Sequence, residues 1–243
     1  MKKLTCFMLA LLFPLLAFAQ SPPEKTLSVY RVWVKDGHTA AFEKALLAHA
    51  KQFHTGHWKW RVYQVMSGPD GGSYQINEGP NSWTTLDDRG DLSAAHTKHY
   101  ETMITPHVAK SSPGQYFTYD DKLSTTGLGN FSTKAVISHV VVKPGRMLAY
   151  TNSLKTAKAV WEKLGRNVVI WRSFYSGQPR VIIVGRLKNG FKDFDTDNAL
   201  FQDAYDAVNG AGSHEKYLEE VSRNVESTLG EIIEFQPALS SAK

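Results

Sequence analysis

The sequence predicts an α+β fold in which two tandem β-α-β-β-α-β units close over each other within one chain. The first observation is a repeat, since VYRVWVKDG at residues 29–37 returns as ISHVVVKPG at residues 137–145. The second observation is that strand-like and helix-like periodicities follow both copies in the same order. A repeat of this length indicates one supersecondary unit used twice.

The N-terminal segment has the pattern of a signal peptide, which we predict over residues 1–19. A basic start is followed by an apolar run at residues 4–16 and by a small-residue cleavage site at residues 17–19. The run is shorter than the ~20 residues that a membrane-spanning helix needs. We therefore expect an exported protein, periplasmic or secreted, with no stable membrane anchor. Cys6 is the only cysteine, so the mature chain would have no disulfide.

Composition narrows the class of partner. The formal net charge is +5, and 42% of the residues are hydrophobic. The sequence has no lysine and arginine run that would cover a phosphate backbone, no Gly-rich phosphate loop after a strand and no nucleophile elbow. We expect a small-molecule ligand and no nucleic acid.

The first unit is predicted over residues 26–124. Residues 29–35 alternate with period two, which is typical of a half-buried strand, and Tyr30, Val32 and Val34 share one face. Breaker-rich turns separate the later elements. We predict strand 29–35, helix 39–53, strand 58–66, strand 73–78, helical residues 86–110 and strand 115–120.

The second unit is predicted over residues 135–240, after a linker at residues 125–134 that is rich in Gly, Ser and Thr. The first helix of each unit has an apolar stripe at helical spacing. The stripe Phe42, Leu46, His49 and Phe53 aligns with Tyr150, Leu154, Ala157 and Trp161. We predict strand 136–143, a helix around that stripe, strands 168–175 and 180–186, helices 196–209 and 213–229, and strand 230–235.

Each unit has the element order of a ferredoxin-like βαββαβ module, whose sheet carries helices on one face only. Two such sheets can cover each other as a barrel, which also removes their exposed edges. In this respect the sequence resembles the dimeric α+β barrel superfamily, in a form where two repeats are fused in one chain. The resemblance implies relatives such as antibiotic-biosynthesis-type monooxygenases, haem-degrading monooxygenases and chlorite dismutases.

Strand parity predicts which side chains face the barrel interior. If Val32, Val34, Val140 and Val142 face the helices, the alternate residues face inward. Polar filling of a wide barrel and an anion pocket are both consistent with these side chains. The predicted inward residues are Arg31, Trp33, Arg61, Tyr63, Tyr116, Thr118, His139, Val141, Arg172, Phe174, Ile232 and Glu234.

Histidines concentrate in the first unit, which holds seven of the nine. His49 stands where the second copy has Ala157, and His96, Tyr100 and Met103 follow helical spacing with His99 beside them. We predict a first-repeat pocket that includes these side chains and Trp83, with His49 and His99 as candidate bases.

Metal binding is not favoured by the spacing, because HEXXH and related patterns are absent. The resemblance also implies a haem alternative, in which Trp83 with His96 or His99 would take the places of a Trp and a His in haem-degrading monooxygenases. That family has an Asn on its first strand, where this sequence has Tyr30 and Val32. Three hypotheses follow: a small-molecule-binding protein, a cofactor-independent oxygenase-like enzyme that acts on an aromatic ligand, and a haem- or metal-dependent protein.

Overall fold

The computed structural model describes residues 23–89, 92–173, 175–196 and 200–241. The proposed signal peptide, with Cys6, lies outside the described residues. In the first half the elements are β1 Thr26–Val34, α1 Thr39–Phe53, β2 Trp60–Val65, β3 Tyr74–Asn81, α2 Trp83–Asp87, α3 Ala94–His99, β4 Val108–Ser111 and β5 Gln115–Tyr119. In the second half they are β6 Lys134–Val142, α4 Met147–Lys163, β7 Asn167–Ser173, β8 Arg180–Leu187, α5 Lys192–Thr196, α6 Phe201–Asn209, α7 Ser213–Asn224 and β9 Val225–Phe235.

The described strands form one sheet that closes into an eight-stranded barrel. The order is β3-β2-β9-β6-β8-β7-β5-β1, and β1 also pairs with β3, which completes the ring. Every pairing is antiparallel. The two halves join at β2–β9 and at β5–β7, so each repeat supplies the cover that the other sheet needs. The predicted fold class is confirmed.

The apolar core has three parts, and strand parity explains them. One cluster lies between the first-repeat sheet and α1 and includes Val32, Leu46 and Val62. Its counterpart lies under α4 and includes Val140 and Leu154. The third cluster lies inside the barrel and contains residues from both halves, among them Leu27, Phe117, Trp171 and Ile233.

One predicted inward orientation on β7, that of Arg172, is wrong. Val168 and Ile170 of β7 pack in the α4 cluster, so Val169 and Trp171 face the barrel and Arg172 does not. Arg172 instead forms an ion pair with Asp120 at 2.9 Å. With the same residue offset that relates Arg31 to His139, Val169 and Trp171 of β7 correspond to Arg61 and Tyr63 of β2. The prediction gave those places to Arg172 and Phe174, so the error came from the strand alignment. Phe174 lies outside the described residues.

The last strand of each repeat is also shifted by one residue relative to the prediction. Phe117 and Ile233 lie in the barrel core, so Tyr116, Thr118, Ile232 and Glu234 do not point inward. Tyr116 is exposed, and Glu234 pairs with Lys134. Because side chains alternate strictly, one residue of slip moves the whole set to the other face.

Two helical predictions need correction. The region predicted as helix over residues 86–110 contains two short helices, a π turn at Tyr100–Ile104 and the extra strand β4, which pairs with β1. Residues 225–229, predicted as helix, begin β9 instead.

None of the described helices is both long and apolar enough to cross a membrane.

Candidate functional site

The barrel encloses a cavity of about 600 Å³. Apolar walls come from both repeats, and polar groups interrupt them at a few positions. This composition is typical of a small-molecule site. The aromatic residues in the wall are Tyr30, Trp33, Tyr63, Phe117, Phe131 and Trp171.

A buried ion network crosses the cavity wall between the two repeats. Arg31 on β1 donates to both oxygens of Glu231 on β9, with 2.9 Å from Nη1 to Oε2. Arg31 also donates to Asp70 at 2.7 Å and to Gln75 at 2.9 Å. His139 on β6 places Nε2 2.7 Å from Glu231 Oε1. The Glu231 side chain is completely buried. An unpaired carboxylate there would be strongly destabilising, and the bidentate contact with Arg31 neutralises its charge.

The pKa of Glu231 reflects that network. Burial alone would raise the pKa, but hydrogen bonds from His139 and Arg31, together with the charge of Arg31, hold it below the usual range of a carboxyl group. Glu231 is therefore a fixed anion. Its oxygen can accept a proton from His139 Nε2, and in the neutral ring that carries this proton Nδ1 is the acceptor nitrogen.

Three other guanidinium groups in the cavity wall have no acidic partner in the part of the chain that the structure describes. No carboxylate of the described residues lies within salt-bridge distance of Arg61, Arg180 or Arg186. Arg61 and Arg186 lie over the ring of Phe131, at 4.8 and 5.5 Å from its centroid. Burial lowers the pKa of Arg186. Uncompensated guanidinium groups beside aromatic walls favour an organic anion.

A second candidate site lies outside the barrel, between the sheet of the first repeat and its helices. His49 on α1, His54 just after α1, and His96 on α3 each have a ring nitrogen within 4.8 Å of the other two. His54 and His96 face each other with 3.3 Å between their Nε2 atoms. His99 Nδ1 lies 3.1 Å from His49 Nδ1. The Nε2 atom of His49 is buried and has no hydrogen-bond partner among the described residues.

Burial keeps the imidazoles of His49 and His54 neutral. Burial is the main reason why the pKa of His49 falls to about 3, and His54, His96 and His99 lower it further. Burial also lowers the pKa of His54, although Glu78 opposes that change. Neutral imidazole is the form that binds metal ions and accepts protons.

Glu78 on β3 fixes the orientation of His54. Its Oε2 lies 3.1 Å from His54 Nδ1, and the same oxygen accepts a hydrogen bond from Trp60 Nε1 at 3.1 Å. Arg89 forms an ion pair with the other oxygen at 3.0 Å. Burial would raise the pKa of Glu78, but the hydrogen bond from His54 and the charge of Arg89 bring it below its usual range.

The structure separates the predicted site residues into three places. Arg31, Trp33, Arg61, Tyr63 and His139 line the barrel cavity, so their predicted orientation is confirmed, whereas their role in binding stays a prediction. The candidate bases His49 and His99, with His96 and Tyr100, lie on the helix side of the sheet. Trp83 and Met103 are exposed, and Trp83 packs against Tyr116 and Tyr175.

Sequence reasoning missed three cavity residues, Arg180, Arg186 and Phe131, and also Glu231, which contacts the cavity residues Arg31 and His139. The prediction gave Ile232 and Glu234 as the inward residues of β9, so the one-residue shift left out Glu231. The alignment of Glu231 with Gln115 of the first repeat could be read from the sequence. Arg180 and Arg186 belong to β8, for which parity was not assigned. Phe131 lies in the linker, where no periodicity indicates an inward side chain.

The histidine cluster does not fit a haem. Aromatic rings surround His49, with centroid distances of 5.0 Å to Phe53, 5.2 Å to Trp60 and 5.5 Å to Tyr100. The indole of Trp60 also stacks on His54 at 3.5 Å. A porphyrin needs a flat slot beside its axial imidazole, and these rings occupy that space. The predicted pairing of Trp83 with His96 or His99 stays a prediction.

Fold and cavity together place the chain in the structural class of α+β barrels, here formed within one chain. The scan against protein-family models found no match, and no curated protein matches the sequence. Solved structures show the same fold. A candidate monooxygenase from Fusobacterium nucleatum superposes with a TM-score of 0.53 at 12% identity, over 86% of this chain and 91% of the other.

Two further structures have the same barrel. An anthrone oxidase-like protein gives a TM-score of 0.54 at 12% identity, covering 87% of this chain and 92% of that protein. A mutant chlorite dismutase from Candidatus Nitrospira defluvii gives 0.52 at 9% identity, covering 88% and 92%. At these identities the likeness shows the fold, and function has to be argued from the site.

Proposed function

We propose that this protein binds a flat, acidic organic molecule inside the barrel. The observation that carries the proposal is the cavity of about 600 Å³, whose aromatic wall includes guanidinium groups without acidic partners among the described residues. Arg61 and Arg186 would pair with the carboxylate or phenolate of the ligand, and Trp171 and Phe117 would cover its ring faces. Since the predicted signal peptide marks the chain for export, we place this binding activity outside the cytoplasm.

Binding can be tested with aromatic carboxylates and their neutral amide analogues, by calorimetry and thermal shift. We expect the carboxylate to bind more tightly, and Arg186→Gln to reduce that preference by roughly tenfold, about 1.4 kcal/mol. Val29→Phe, which narrows the cavity, should weaken every ligand. Val208→Phe on the partly exposed face of α6 is the matched control and should leave affinity unchanged. Equal binding of acid and amide would contradict the anion site.

A second proposal concerns turnover, and the His139–Glu231 pair favours it. In the tautomer of His139 that donates Nε2–H to Glu231, Nδ1 would take a proton from an acidic C–H or O–H of the bound ring. The resulting carbanion or phenolate is electron-rich enough to react with O₂ without a cofactor. One structural neighbour is named anthrone oxidase-like. For a ring of that kind, the CH₂ carbon would lose two hydrogens and gain one oxygen atom, and the other oxygen would leave as water.

Oxygen uptake in the presence of anthrones and hydroxylated aromatic acids tests this step. His139→Gln should lower turnover by about 10²- to 10⁴-fold, the usual range for loss of a general base, while ligand affinity is retained. His57→Gln is the control, because that side chain is 62% exposed on the surface. Retained turnover in His139→Gln would remove the oxygenase proposal and leave the binding proposal intact.

A further inference from the structure

The cluster of His49, His54 and His96 lies on the opposite side of the sheet from the barrel cavity, and the proposed ligand site does not use it. His49 and His54 are completely buried, whereas His96 is half-buried. The second repeat shows that such a cluster is not needed for the fold. Ala157 occupies the position of His49 there, and it is fully buried in an apolar cluster.

The spacing of the nitrogens fits a metal ion. Imidazole nitrogens bound to tetrahedral zinc lie 2.0–2.1 Å from the metal, which places them roughly 3.3 Å from each other. The Nε2 atoms of His54 and His96 are 3.3 Å apart. One ring nitrogen of His49 completes a triangle whose sides are all within 4.8 Å.

On His54 and His49, neighbouring side chains contact Nδ1, so Nε2 is the nitrogen of each ring that remains for a metal ion. Glu78 holds Nδ1 of His54, so Nε2 is left to the cluster. His99 contacts Nδ1 of His49, and the remaining Nε2 is the buried nitrogen that has no partner among the described residues. A carboxylate that holds the far nitrogen of a ligating histidine is the usual outer-shell arrangement at metal sites.

We propose that His49, His54 and His96 bind one divalent transition-metal ion of the zinc class through their Nε2 atoms. Imidazole ligands favour zinc, copper, nickel and cobalt over magnesium and calcium. Three histidines leave a fourth position for water. The half-buried rings of His96 and His99 provide the side from which the ion enters. The proposal does not depend on the barrel ligand.

The test uses the mature chain without a histidine tag, stripped with a chelator and titrated with Zn²⁺ and Co²⁺. We expect about one equivalent of bound Zn²⁺, a visible absorption band of tetrahedral Co²⁺ and a higher melting temperature with metal. His96→Ala should lose affinity by at least ~100-fold, because a ligand contributes more than the outer-shell groups whose loss costs 10- to 100-fold.

Two more variants make the result specific. His49→Ala copies the residue of the second repeat, so it should fold and should also lose the metal. His107→Ala is the matched control, since His38 and His107 form another histidine pair, with 3.0 Å between their Nδ1 atoms, outside the cluster. Its affinity should equal that of the unchanged protein. Failure to bind a stoichiometric ion, unchanged affinity in both cluster variants, or an equal loss in His107→Ala would each overturn the proposal.

Discussion

Arg31 and His139 occupy the same position in the two repeats, yet in the barrel they contact one carboxylate. Both side chains reach Glu231, from β1 and from β6. The aligned residue of the first repeat is Gln115, which carries no charge. The two repeats therefore differ where the barrel interior is polar. This difference lets Glu231 of the second repeat pair with Arg31 of the first, which two identical repeats could not do.

At this scale we expect Glu231→Gln to lower the free energy of unfolding at pH 7 by about 3–5 kcal/mol, the cost of breaking a buried ion pair. Arg31 would keep Asp70, whose side chain is one-third exposed, but would lose the buried partner. Urea unfolding measures the change. Glu226→Gln on the exposed part of β9 is the control and should stay within about 0.5 kcal/mol.

The pH dependence of the same variant gives an independent check. The pKa of Glu231 in the folded protein lies below its ordinary value of 4.5, because Arg31 and His139 outweigh the effect of burial. Its stabilising contribution is therefore complete above pH 4.5 and is lost as the pH falls through the folded-state pKa. The gap between the unchanged protein and Glu231→Gln should be constant near neutral pH and shrink below pH 4.5. A gap that widened in acid would contradict the ion network.

At the scale of elements, α1 and α4 show how far the sequence could predict this structure. The bounds of α1 and the shared stripes of both helices follow from apolar periodicity, and the structure confirms them. The orientation of β7 and of β9 did not follow, because a strand has only two faces and one residue of misalignment exchanges them. Strand β4 also escaped prediction, since it is short and its polar side chains are mostly exposed.

The candidate sites were predictable to a similar extent. The uneven distribution of histidines indicated the cluster, but the sequence did not show that His54 would join it, because that residue lies just beyond the end of α1. The contact with Glu78 fixes its ring, and that contact spans a turn and a hairpin. Arg61 on β2 and Phe131 before β6 meet only because the two halves close into one barrel.

The two helices offer a matched pair of core substitutions. Leu46 on α1 and Leu154 on α4 are both completely buried and occupy equivalent positions. We expect Leu46→Ala and Leu154→Ala each to lower the free energy of unfolding by about 2–5 kcal/mol, from lost burial and the cavity that remains. Circular dichroism during urea unfolding measures both. A loss confined to one helix would show that the two cores do not contribute alike.

For the whole molecule, the barrel makes the two repeats depend on each other. The strand pairs β2–β9 and β5–β7 are the only junctions between the two half-barrels among the described strands. Separating the repeats would expose the apolar interior that contains Phe117 and Trp171. A free half should therefore associate with another half, because exposed apolar faces of this size favour pairing.

The choice of partner follows from the interior charges. A barrel of two first repeats would contain two Arg31 side chains opposite two Gln115 side chains. A barrel of two second repeats would contain two Glu231 carboxylates without Arg31. Only the mixed barrel brings Arg31 and Glu231 together, so both homodimers lose that buried ion pair. The linker positions are suitable for a cut, since residues 125–133 lie between the last strand of one half and the first strand of the other.

We therefore expect residues 20–129 and 130–243, co-expressed as separate chains, to form a 1:1 complex at least ~10-fold more often than either homodimer. Size-exclusion chromatography with light scattering and intact mass spectrometry measures the ratio. Arg31→Leu in the first piece should remove the preference, because its homodimer would then bury no Arg31 guanidinium that lacks Glu231. Equal amounts of all three dimers from the unchanged pieces would show that shape, and not the Arg31–Glu231 pair, decides how the barrel closes.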